Sequence, residues 1–266
     1  SSLDPDAKWA VNFDRAVTQF DPNVLVRLSR YGRFSRGIAT GANEFFALRP
    51  SEASLLGIPS TELVPCISKS SHVKSPIFDT EDQRELLAQD RPCLLFSPGN
   101  SHSEASAAYL RFGEAQGYAD RYLTRNRVPW YRTEIRTPAG LLLGVFSRDG
   151  YKIVRNYTTC LNLTCFHGFY PDLLGSRFID KLFLYLYSRT GRRIVSLSMR
   201  KYGDSLDKFE PNDLNRALCP NERFLDSIPE DIVTTSLDAL RSAGHLPEAA
   251  EEIFEALTWS TDKGQI

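Results

Sequence analysis

Short strand-like runs and capped helices alternate up to Pro220, and after Pro229 the hydrophobic pattern turns wholly helical. This pattern predicts an α+β fold of small mixed β-sheets with packed helices, followed by an all-helical C-terminal extension. Local signals fix several elements. Thr80-Glu81-Asp82-Gln83 has capping-box spacing and starts a helix. Ser103 stands where it can cap a second helix that runs to Gln116, with Gly117 in place for a C-terminal cap. Residues 93–96 read as a strand, and residues 141–147 and 151–157 flank Arg148-Asp149-Gly150 as a hairpin. Phe178, Ile179, Leu182, Phe183 and Leu186 recur at helical spacing. Residues 9–20 read as a lead-in helix, and residues 232–242 and 247–259 as helices separated by Gly244.

The formal net charge of −1 conceals three zones. Residues 111–155 and 177–208 are rich in Arg and Lys, while residues 222–262 carry Glu222, Asp226, Glu230, Asp231, Asp238, Glu248, Glu251, Glu252, Glu255 and Asp262. A basic body with an acidic end points to nucleic acid better than the overall balance does. With 42% hydrophobic residues the chain can bury a sizeable core. No apolar run approaches the roughly 20 residues needed to cross a bilayer, so no membrane partner is expected. The N-terminus, Ser1-Ser2-Leu3-Asp4-Pro5, reads as a boundary within a longer polypeptide. Five scattered cysteines signal neither a disulfide framework nor a zinc site, so no metal is expected and the compartment reads as cytoplasmic. Cys160, Cys165 and His167 read as one continuous strand, with Cys165 and His167 on the same face. No orienting partner for a hydrolytic Cys–His pair is evident.

Four stretches are unusual. Arg36-Gly37-Ile38-Ala39-Thr40-Gly41-Ala42-Asn43-Glu44-Phe45-Phe46 has two glycines four apart, which favours a tight backbone excursion before two core aromatics. It matches neither the dinucleotide fingerprint nor the P-loop. Val64-Pro65-Cys66-Ile67-Ser68-Lys69-Ser70 is a short strand with a polar, basic exit. Arg125-Asn126-Arg127-Val128-Pro129-Trp130-Tyr131-Arg132 interleaves guanidinium groups with aromatics, suiting phosphate contact and base stacking. The fourth, Arg200 through Leu214, is a basic loop with Lys201-Tyr202-Gly203, followed by Pro211 at a helix start.

In this order the four stretches resemble the target-recognition region of adenine-N6 DNA methyltransferases of the TaqI-like type, over roughly residues 24–220. Asp204 departs from the family, which often has a second glycine in the Tyr-Gly loop. The resemblance implies a DNA target-recognition domain at 24–220, a lead-in at 1–23 from a catalytic domain elsewhere in the polypeptide, and an acidic helical tail at 221–266. It implies double-stranded DNA as partner, with Arg36, Thr40, Ser68, Lys69, Arg127, Lys201 and Tyr202 in contact with it. Gly37, Gly41, Asn43, Trp130 and Gly203 then support the loops. The catalytic half of such an enzyme binds S-adenosylmethionine and carries an Asn/Asp-Pro-Pro-Tyr/Phe motif for the flipped adenine. This sequence has no Pro-Pro pair, so no catalytic residue is assigned to it. Two other readings are the recognition half of a fused restriction endonuclease–methyltransferase, and a protein-interaction module that uses the acidic tail. The tail could also cover the basic surface as an autoinhibitory mimic of DNA charge.

Overall fold

The computed structural model describes residues 23–147, 150–197, 200–201 and 207–257. The expected lead-in helix at 9–20 lies outside them. Among the described residues the strands form small sheets, the largest with five strands in the order Gly32–Arg36, Phe166–Pro171, Leu141–Gly144, Ile153–Asn156 and Ile77–Phe78. A four-stranded sheet runs Leu161–Asn162, Leu63–Ile67, Leu94–Phe96 and Ala47–Leu48. Both contain parallel and antiparallel pairs, which makes them mixed.

The hairpin pairs Leu141 with Arg155 and Leu143 with Ile153. One face of the five-stranded sheet is covered by the helix Leu173–Tyr187, whose inward stripe includes Phe178, Leu182, Phe183 and Leu186. Ser103 caps the helix Glu104–Ala115 by accepting from the Ser106 N–H, and Gly117 has φ +74° just beyond its end. The other predicted cap moves by one residue. Asp79, not Thr80, accepts from the Glu81 and Asp82 N–H groups, because its carboxylate reaches both donors at once.

The C-terminal helices Glu222–Ser227, Glu230–Ser242 and Glu248–Glu255 are not set apart from the body. Leu225, Val233, Leu240, Phe254 and Leu257 are buried in the same cluster as Tyr31, Phe34, Phe178 and Tyr185. The strand Leu218–Pro220 pairs with Leu25–Arg27, so the start of the described chain is tied to the segment that leads into the C-terminal helices. The acidic side chains meet the basic body as ion pairs: Glu222 with Arg30 at 2.8 Å, Asp226 with Arg177 at 2.6 Å, and Glu248 with Arg189 at 2.6 Å. Arg241 runs the other way, to Asp82 at 2.6 Å and Asp79 at 3.1 Å on a neighbouring helix cap. Such exposed pairs are worth about 0–1 kcal/mol each, so apolar burial supplies the main attachment.

The stretch from Cys160 to His167 is not one strand. Leu161–Asn162 belongs to the four-stranded sheet, and the chain turns at Leu163, where its carbonyl accepts from the Phe166 N–H at 3.2 Å, before entering Phe166–Pro171. Cys165 therefore points its Sγ at the Ile67 carbonyl, 3.6 Å away, while the His167 imidazole reaches the Phe209 carbonyl. Burial pushes the Cys165 thiol up to about 12, which removes it as a nucleophile at neutral pH.

Candidate nucleic-acid interface

Two of the four unusual stretches are brought to one edge by main-chain pairing, and a third is fastened there by a side chain. Arg36 stands opposite His167 in the five-stranded sheet, and two residues later Ile38 bridges Leu163 in parallel at the edge of the four-stranded one. The Ile38 N–H donates to the Asn162 carbonyl at 2.9 Å, and the Leu163 N–H to the Ile67 carbonyl at 3.0 Å. Leu161 and Asn162 pair in parallel with Cys66 and Ile67. The segments ending at Ile38, Leu163 and Ile67 thus run side by side, and the chain leaves all three in the same direction. Residues 39–43 and 68–72 are the loops that follow.

Gly37 makes this junction possible. A Cβ there would lie 2.1 Å from the Leu163 carbonyl oxygen and 2.5 Å from that of Phe166, far inside any contact distance. Gly41 turns the loop at φ +85°, with Leu123 packed where its side chain would be.

The third stretch braces the first. The Arg127 guanidinium donates to the Thr40 carbonyl at 2.8 Å and to the Ala39 carbonyl. Trp130 packs against Phe45 and Phe46, and its indole N–H donates to Glu114 at 3.0 Å. Arg136 holds the Arg36 carbonyl at 2.8 Å, and Lys152 holds the carbonyls of Ser70 and Val73. These last two braces carry no local sequence signal, because their partners are about 80–100 residues away.

These contacts redistribute the expected roles. Thr40 is only 1% exposed, and its hydroxyl donates to Asn43 Oδ1 at 2.5 Å and accepts from the Ala42 N–H at 3.1 Å. The Ser68 hydroxyl is buried and donates to the Pro92 carbonyl. Neither hydroxyl is turned outward; both are spent on holding the loops from within. Arg127 is likewise a brace. Arg36 and Lys69 are exposed, with no acidic partner at ion-pair distance among the described residues. Lys201 lies in the strand Arg200–Lys201, and Tyr202 and Gly203 lie outside the described residues. The fourth stretch still joins the same region. Phe209 anchors it through His167, and the charges of Arg36, Lys208 and Glu210 all act on that imidazole.

Removing the brace should be measurable. Arg127→Ala leaves two main-chain carbonyls without their donor. It is expected to lower stability by about 2–3 kcal/mol and to speed hydrogen exchange at Ala42 and Phe45. Unchanged exchange at those amides would show that the loop holds itself.

Two imidazoles near this edge are kept neutral. A carbonyl can only accept, so His167 Nε2 carries the proton it donates to Phe209 at 2.7 Å, and Nδ1 is buried without a partner. Burial also lowers His72 to about 4, helped by the charges of Lys69 and Arg91. The unfolded chain takes up these protons first, near pH 6.5, so stability is full above that value and falls as pH drops toward 4. Melting temperature followed over that range should fall more gently for His72→Gln than for the wild type. Parallel profiles would exclude His72 as a source of the slope.

Among the described residues, no group of three or more His, Cys, Asp or Glu side chains is arranged to hold a metal ion. No helix there is long and apolar enough to cross a membrane.

The arrangement is a set of small mixed sheets that present a cluster of braced loops. Residues 15–257 match the family described as the C-terminal domain of type II methyltransferase M.Eco57I, and the chain belongs to that family. It is 36% identical to the type II methyltransferase M.AccI of Acinetobacter calcoaceticus over 233 residues, covering 87% of this chain and 43% of that protein. It is 22% identical to the type II methyltransferase M.XamI of Xanthomonas campestris pv. amaranthicola over 200 residues, covering 74% of this chain and 36% of that protein. The chain thus spans less than half the length of either curated relative. Its fold is similar to part of the type IIG restriction endonuclease BpuSI, with a TM-score of 0.59 at 13% identity over 96% of this chain and 31% of that one.

Proposed function

We propose that this chain is the sequence-specific DNA-recognition module of a site-specific adenine-N6 DNA methyltransferase in a restriction–modification system. The observation that carries this reading is the convergence of the 36–43, 64–70 and 125–132 stretches on one edge, with Arg36 and Lys69 exposed there. Cations on braced loops suit phosphate contact that sets register, while neighbouring side chains reach base edges. Family membership supports the methyltransferase context. The adenine-N6 chemistry rests on the order of the sequence motifs. S-adenosylmethionine and the flipped adenine would then be held by a catalytic domain outside this chain, preceding it as in TaqI-like enzymes.

The reading is tested by a salt titration of binding to random-sequence duplex DNA, with selection for enriched sites. Affinity should fall steeply with salt, and an adenine-containing motif should be enriched. Arg36→Ala or Lys69→Ala should weaken binding on every sequence and reduce the salt slope by about 1. Binding that ignores salt, or no binding at all, would overturn the reading.

A second reading, a recognition module shared with an endonuclease on the same polypeptide, is favoured by the fold likeness to BpuSI. The ion pairs described above count against the acidic helices as a free interaction arm.

A further inference from the structure

Beside the braced loops, the segment between Tyr118 and Arg132 exposes apolar side chains in an electropositive setting. Tyr122 is 72% exposed and Val128 is 89% exposed. The segment carries Arg121, Arg125, Arg127 and Arg132 against a single acid, Asp120. The Arg125 guanidinium lies over the Tyr122 ring, 5.6 Å from its centroid.

This segment is held firmly from below. Thr124 is fully buried, and its hydroxyl reaches the Tyr118 carbonyl. The Asn126 side-chain amide donates to the Tyr122 carbonyl, and the Arg127 N–H to the Thr124 carbonyl at 3.0 Å. Leu123 packs against Gly41, and Arg127 reaches the carbonyls of residues 39 and 40. The Tyr122 ring is therefore presented from a fixed backbone beside the cationic loops. Phosphate contact alone has no use for an exposed ring and an exposed valine. Base stacking does, because every base offers an apolar face.

We infer that Tyr122, with Arg125 over its ring and Val128 nearby in the chain, is a wedge that inserts at a base step of duplex DNA and unstacks it. The occupant is the duplex itself, selected by the segment's net positive charge. Apolar wedges on cationic surfaces kink and unstack duplexes in this way. The inference rests on the DNA-recognition reading above.

The test uses the chain with a duplex recovered by site selection, carrying 2-aminopurine at successive positions. Wild-type protein should raise fluorescence several-fold at one position. Tyr122→Ala should abolish that rise while affinity changes less than about tenfold, and Tyr122→Phe should keep it. Val128→Ser should reduce it. Both side chains are exposed, so these variants keep the fold. If Tyr122→Ala gives the same rise, or if no position responds while the wild type is bound, the wedge is wrong and recognition stands. If the wild type binds no duplex at low salt, the recognition reading falls and the wedge falls with it.

Discussion

Gly37→Ala should destabilise the protein by about 3 kcal/mol and, on the function proposed above, abolish DNA binding, although it adds one methyl group. The new Cβ would meet two main-chain carbonyl oxygens, at 2.1 Å and 2.5 Å, and neither belongs to a side chain that can rotate away. Relief requires Ile38 to part from Asn162, or Arg36 to lose its register with His167. Either change separates the strands from which the loops depart. The measurement is the urea midpoint at unchanged slope, with Gly99→Ala as the comparison, where the nearest atom is the Ser101 carbonyl oxygen at 3.7 Å. A Gly37→Ala protein as stable as Gly99→Ala would show that the junction yields easily.

Truncation after Asn221 should give an unfolded or aggregated product, not a protein that binds DNA more tightly. The sequence allowed the acidic helices to act as a removable cover, and the structure assigns them another part. Leu225, Ile228, Val233, Leu240, Leu246, Phe254 and Leu257 are buried with the central helix. At about 1.5–3 kcal/mol per buried side chain, their loss amounts to on the order of 10–20 kcal/mol. That matches or exceeds the whole stability of a typical domain. Circular dichroism and gel filtration of the truncated chain decide the matter. A folded monomer with raised DNA affinity would restore the autoinhibitory reading.

What could be read in advance was what the chain determines locally. The helix Glu104–Ala115 and the hairpin at 141–156 follow from caps, spacing and turn residues within a few positions of one another. The wholly helical end was visible for the same reason. Its docking was not, because amphipathic spacing shows that a face will be buried but not against which element. At the site the stretches were legible and the division of labour within them was not. Thr40, Ser68 and Arg127 are residue types that suit phosphate. Only the positions of Asn43, Pro92 and the carbonyls of residues 39 and 40 reveal that their donors are already engaged. The Cys165–His167 pairing failed because a turn at Leu163 splits what the pattern presented as one strand.

The loops hang from main-chain hydrogen bonds and a few inward-facing braces, while Arg36, Lys69, Tyr122 and Arg125 face out. On the DNA-recognition reading proposed above, frame and reading surface can therefore be altered separately. On that reading, an engineer seeking a new target sequence should keep Gly37, Thr40, Ser68 and Arg127 for the frame and Arg36 and Lys69 for phosphate contact, and randomise the other exposed loop positions.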